Sequence, residues 1–148
     1  MNHRTGGDKP SLAERAQSAR SSATGKISTT RLLIVDDDTD AVEALSDLLA
    51  YRGYEVATAH NGVEALKILA HRPLPDVLVL DLSMPFMNGW ELMRELSKSR
   101  ELAEIPVIVV SALAHTQEVS ARAIIAKPVD VEVLLSTIAT LAKPAPAQ

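Results

Sequence analysis

The chain has no cysteine among its 148 residues, which excludes disulfide frameworks, thiol nucleophiles and Cys-ligated zinc or iron–sulfur centres. Four separated histidines (His3, His60, His71, His115) do not rebuild such a site. Aromatic residues make up 3% (Trp90, Tyr51, Tyr54, Phe86), too few for the stacking platforms that single-stranded nucleic acids need. An excess of 19 acidic over 15 basic residues also argues against a nucleic-acid partner. No apolar run approaches the roughly 18 residues of a membrane span, and the first 30 residues lack the apolar stretch of a secretory signal. These absences lead us to expect a cytoplasmic protein without membrane contact.

Charge divides the chain. Residues 1–30 carry five basic groups (Arg4, Lys9, Arg15, Arg20, Lys26) and two acidic ones (Asp8, Glu14), with Leu12 and Ile27 as their only large apolar residues after Met1. Such a segment buries too little to offset its ordering entropy, so we expect a disordered basic tail, with at most a fraying helix over 12–20 behind the Ser11/Glu14 capping pair. Residues 143–148, with two prolines, read as a flexible C-terminal tail. Residues 31–142 between them form the expected domain.

Within that domain, short β-branched and Leu-rich runs alternate with longer segments of helical spacing. The runs at 32–36, 55–59, 76–81, 105–111 and 123–126 predict five strands. Three of them are continuously apolar, as expected where helices cover both faces of a parallel sheet. Helical stripes follow in Val42/Leu45/Leu48/Leu49, in Ala65/Leu66/Leu69 after an Asn61/Glu64 start signal, in Leu92/Met93/Leu96, and in Leu134/Leu135/Ile138/Leu141. The alternation predicts an α/β fold with a doubly wound five-stranded parallel sheet, whose ligands sit beyond the carboxyl ends of the strands.

Chemistry-bearing residues lie at those ends. The first strand runs into Asp36-Asp37-Asp38, the third ends in Asp81, the fourth in Ser111, and the fifth leads to Lys127-Pro128. Taken singly, Asp38 or Asp40 could cap the next helix and Lys127-Pro128 could be a strand exit. If the strand order is 2-1-3-4-5, however, these groups converge. Two carboxylates about 4 Å apart repel by ~4 kcal/mol at an effective dielectric of 20, and one lysine cannot neutralise three. A hard divalent cation can, and Mg2+ suits carboxylate and carbonyl oxygens together with phosphate. The site thus points to metal-assisted phosphoryl chemistry.

The four motifs in this order, Leu33-Ile34-Val35-Asp36-Asp37-Asp38, the run from Leu80-Asp81 to Asn88-Gly89, Ser111-Ala112, and Lys127-Pro128, resemble those of response regulator receiver domains over about residues 31–142. The resemblance implies the flavodoxin-like order 2-1-3-4-5. It also implies that Asp81 accepts a phosphoryl group from a histidine kinase or histidine phosphotransfer protein. Asp36, Asp37, Asp81 and the Ser83 carbonyl would serve the Mg2+ site, Asp36 through water. Lys127 would hold phosphoryl oxygens behind a cis Lys127–Pro128 peptide, Ser111 would donate its hydroxyl, and Ala112 would leave an entrance. The departures are Ile124 in place of a switch aromatic, apolar Leu113 where a water-positioning group is common, and only 15 residues between Ser111 and Lys127, which implies a shortened fourth helix.

With no output domain after the last helix, we expect a stand-alone receiver, a monomer that signals by binding an unidentified downstream protein rather than as an enzyme; a receiver severed from a hybrid kinase would read the same way. Two alternatives remain: a phosphatase of the haloacid dehalogenase type using Asp38-x-Asp40, and an inert receiver-fold interaction module.

Overall fold

The structure, a computed structural model, describes residues 29–112 and 121–142. The apolar runs become β1 (Arg31–Val35), β2 (Glu55–Ala59), β3 (Val77–Asp81), β4 (Val107–Ser111) and β5 (Ala123–Ala126), all parallel in the order β2-β1-β3-β4-β5. Every residue of β3 and β4 is buried, as continuous apolarity predicts for central strands.

Strand alternation divides the core into two. Leu33, Val35, Leu78, Leu80 and Val109 pack with α2 (Gly62–Leu69) and α3 (Gly89–Ser97). Leu32, Ile34, Val79, Ile108 and Val110 pack on the other side with α1 (Thr39–Tyr51) and α5 (Val131–Ala142). Each fully buried Leu or Ile in these clusters contributes about 1.5–3 kcal/mol relative to exposure. Side-chain caps start the helices: Asp38 accepts from the Ala41 N–H, Asn61 from Glu64, and Asn88 and Glu91 form a reciprocal capping box.

Several boundaries differ from expectation. β1 ends at Val35, although the Asp36 N–H still donates to the Ala59 carbonyl at 3.0 Å. β3 starts at Val77, although the Asp76 N–H still donates to the Arg31 carbonyl at 2.7 Å while its carboxylate accepts from the Arg31 N–H at 2.8 Å. β4 starts at Val107 instead of residue 105, since Pro106 has no N–H to enter the ladder. A short helix not expected from the sequence, α4 (Arg100–Ala103), is capped by Ser99 and places Leu102 against the α2/α3 core. The expected shortened helix between the fourth and fifth strands, Leu113, and the two tails lie outside the described residues, apart from Thr29 and Thr30 of the first tail.

Candidate functional site

Register builds the site. Val35 pairs with Leu80, so the next residues, Asp36 and Asp81, leave the sheet side by side. Asp81 pairs with Val110, which brings Ser111 one step beyond it, and Ser111 pairs with Ala126, one step before Lys127. The Lys127 N–H donates to the Ser111 carbonyl at 3.0 Å, extending the ladder into the loop. The Lys127–Pro128 peptide is cis, and so is Arg72–Pro73, which had no sequence signal beyond its proline.

Carboxylate oxygens of Asp36, Asp37 and Asp81 all lie within 4.8 Å of one another. Lys127 Nζ stands 3.5 Å from both Asp36 Oδ2 and Asp81 Oδ1. Asp81 is 5% exposed and Ser111 3%, while Asp37 is open to solvent. The Ser83 N–H donates to Asp81 Oδ1 at 3.4 Å, and the Asp38 N–H to Asp36 Oδ1 at 3.0 Å, so both acids are oriented by the backbone that follows them.

At an effective dielectric of 20, Lys127 attracts each of its two carboxylates by about 5 kcal/mol, whereas each carboxylate pair repels by at least about 3 kcal/mol before solvent screens Asp37. One ammonium therefore does little more than balance the Coulomb terms and leaves the burial of Asp81 uncompensated. Burial first, and Asp36 second, push the Asp81 carboxyl above its ordinary range despite Lys127 and the Ser83 N–H. Burial opposes the charge on Lys127, but Asp36 and Asp81 outweigh it and hold the ammonium above its usual value. An all-oxygen cluster with one buried acid and surplus negative charge fits a small divalent cation such as Mg2+.

The Asp38-x-Asp40 pair serves another purpose. Asp38 Oδ1 accepts from the Ala41 N–H at 3.1 Å and caps α1, while Asp40 lies in that helix's first turn, so neither stands at a strand end as a phosphatase nucleophile would. Ile124 is 45% exposed on the edge strand β5.

Two packing features that sequence reasoning missed hold the loop beyond Asp81. A Cβ on Gly89 would lie 2.6 Å from Leu82 Cα and 2.9 Å from the Asp81 carbonyl oxygen, so only glycine lets α3 start against the strand end that carries Asp81. A Cβ on Gly62 would meet the Met87 side chain at 2.5 Å. Between them Phe86 is 85% exposed and has φ 65, a left-handed conformation uncommon for a bulky residue. Gly89 follows Asn88 in a plain turn signal, but the close approach itself needs the third dimension.

Comparison with known proteins agrees with this geometry. The family model described as response regulator receiver domain matches residues 32–139. Protein PilH of Pseudomonas aeruginosa is 40% identical over 114 residues, covering 73% of this chain and 93% of PilH. Response regulator MprA of Mycobacterium ulcerans is 41% identical over 88 residues, 60% of this chain but only 37% of MprA. Among solved structures, a response regulator receiver protein from Pseudomonas putida superposes with a TM-score of 0.72 at 27% identity, covering 78% of this chain and 99% of that one. The chemotaxis response regulator CheY4 of Vibrio cholerae gives 0.69 at 28% identity, covering 77% and 99%.

Proposed function

The chain belongs to the response regulator receiver domain family, and from that premise we propose that it is a phospho-acceptor in which Asp81 takes a phosphoryl group from a histidine kinase or a histidine phosphotransfer protein. The observation that carries this reading is the convergence of three carboxylates within 4.8 Å around a lysine 3.5 Å from two of them. Receiver domains are signalling proteins, and their acidic pocket typically binds Mg2+. Here Asp37, Asp81 and the Ser83 carbonyl would hold the ion, with Asp36 reaching it through water. When bound, it neutralises charge on the acids and on the incoming phosphoryl oxygens.

In the transfer, an Asp81 carboxylate oxygen attacks phosphorus in line, the phosphorus–nitrogen bond of the donor histidine breaks, and its electron pair stays on the imidazole. Lys127 then holds a phosphoryl oxygen as a point charge, and the Ser111 hydroxyl donates to another. Ala112, small and exposed, leaves the approach open. Output follows from phosphorylation-dependent binding of a downstream protein rather than of nucleic acid. We place the receiver at 31–142, acting as a cytoplasmic monomer; among the described residues no helix is long and apolar enough to cross a membrane.

The test is labelling by acetyl phosphate with Mg2+, read by intact-mass spectrometry. One phosphoryl group is expected on the wild type and none on Asp81→Asn. Equal labelling of the variant would remove Asp81 from its role.

A further inference from the structure

On the α1/α5 side of the sheet lies an apolar groove of about 500 Å3. Its floor is Val79 and Val110, both buried, and its walls are Leu45 and Leu48 from α1 and Val131 from α5, each only partly buried. Exposed Ala41 and Ala44 keep the α1 wall low, and uncovered apolar surface rimmed by polar residues marks an interaction site. The charge around it is mostly of one sign. Asp36, Asp38 and Asp81 line one end against Lys127 alone. Asp40 and Asp47, four residues before and three after Ala44, are exposed on the same face of α1, and exposed Asp130 stands between Val129 and Val131 on the opposite wall. Residues 36–51 hold six acids and no lysine or arginine. A complementary occupant is therefore apolar along its middle and cationic at its edges.

The chain carries such a segment itself. Its first 30 residues have five basic groups against two acidic ones. In helical spacing Leu12, Ala16 and Ala19 fall on one narrow stripe, with Arg15 on one side of it and Arg20 on the other. Alone, the segment buries too little to offset its ordering entropy, and the groove supplies the apolar surface it lacks. The tether also fits. Thr30 leads directly into β1, whose five residues span roughly 17 Å up to the acidic end of the sheet. Residues 21–30, rich in Ser and Thr, reach about 16–19 Å as a flexible chain. A tether matched to its span gives the highest effective concentration. We propose that this groove is the docking site of the chain's own residues 12–20, with Leu12, Ala16 and Ala19 in the trough and Arg15 and Arg20 against the acidic rims. The docked segment covers the α1 face beside the acid cluster, and a protein partner that needs that face has to displace it. Docking requires no phosphoryl group on Asp81, so it stands or falls apart from the phospho-acceptor reading.

Because the chain has no cysteine, Ser18→Cys gives the full-length protein a single attachment point for a nitroxide, away from the Leu12/Ala16/Ala19 stripe. The methyl resonances of Leu45, Leu48 and Val131 should lose most of their intensity relative to the reduced label, while those of Leu66 and Leu102 on the other side of the sheet keep theirs. The loss should disappear in about 1 M NaCl, where charges are screened beyond roughly 3 Å. It should also disappear with Arg15→Glu and Arg20→Glu together, changes outside the folded domain, and return when Asp40→Lys and Asp47→Lys are added to them. Equal intensity loss on both sides of the sheet, or none, would overturn the docking. So would a loss that survives both arginine substitutions, or a reversed tail that stays off the reversed helix, since charge would then not seat the segment. An isotope-labelled copy without nitroxide, mixed with a nitroxide-bearing copy without isotope, should show no loss. A loss at the groove in that mixture would assign it to the tail of a second copy and overturn docking within one chain.

Discussion

Replacing Asp81 by asparagine should stabilise the metal-free protein. The carboxylate is 5% exposed, repelled by Asp36 from within 4.8 Å and attracted by Lys127 at 3.5 Å. At an effective dielectric of 20 the attraction is about 5 kcal/mol and the Asp36 repulsion at least about 3 kcal/mol, with a screened contribution from exposed Asp37 added to the repulsion. Coulomb terms on Asp81 therefore nearly cancel, and the desolvation of a buried ion, several kcal/mol in real proteins, decides the sign. Asparagine keeps the shape and an oxygen to accept from Ser83, so we expect a net gain of about 1–2 kcal/mol, on the order of 5–10 °C in Tm for a domain of this size.

The pH dependence follows from the same cause. With its carboxyl raised above the ordinary aspartate range, folded Asp81 binds its proton more readily than the unfolded chain does. Its penalty is absent below the unfolded value, develops as pH rises through the interval up to the raised value, and is complete above it. The advantage of the variant should therefore be present at neutral pH and vanish in acid. Excess Mg2+ should reverse the order: native-state binding adds about 2.7 kcal/mol at a hundredfold excess over Kd to the wild type and little to the variant. Melting curves in EDTA and in Mg2+ read both effects. A lower Tm for Asp81→Asn in EDTA, or an equal Mg2+ shift in both proteins, would refute the electrostatic argument.

Asp37→Ala should give little gain in EDTA, because Asp37 is exposed, but should lose most of the Mg2+ shift; a full shift in the melting curve would place the ion elsewhere. Gly89→Ala should cost about 1–3 kcal/mol by pushing α3 off the Leu82 backbone, read as a lower denaturation midpoint, and an unchanged midpoint would show that the helix start can give way. Phe86→Gly should raise stability by up to about 1 kcal/mol, the left-handed strain relieved less the entropy of glycine, and a drop in Tm would mean that the exposed ring makes a stabilising contact. With Ile124 half-exposed where an aromatic switch is common, sedimentation with and without beryllofluoride should show a monomer in both states; an activated dimer broken by Ile124→Asp would contradict this.

Local pattern was enough for the elements and for the chemistry at their ends. Continuous apolarity in 77–80 and 107–110 announces strands covered on both faces, and β3 and β4 are buried throughout. Side-chain period is a property of neighbouring residues, so helix stripes such as Leu134/Leu135/Ile138 and a start signal such as Asn61/Glu64 can be read without knowing what they face. Asp36, Asp37, Asp81, Ser111 and Lys127 were legible as a set because each stands at the end of a strand or within two residues beyond it, although the order that makes those strands neighbours came from family resemblance alone.

Everything that depends on two distant segments meeting was decided by the tertiary structure. The register Val35 to Leu80 and Ser111 to Ala126 sets how far Lys127 reaches, and no stretch of sequence shorter than the whole sheet contains that distance. The helix at 100–103 exists because Leu102 finds the α2/α3 core, not because four residues would hold a helix alone. Nothing near Gly62 or Gly89 in the sequence announces the close approach of Met87 and Leu82. The groove between α1 and α5 belongs to neither helix. Its apolar walls look like ordinary core positions in the sequence, and only the spacing of the packed elements leaves them partly uncovered beside the acids.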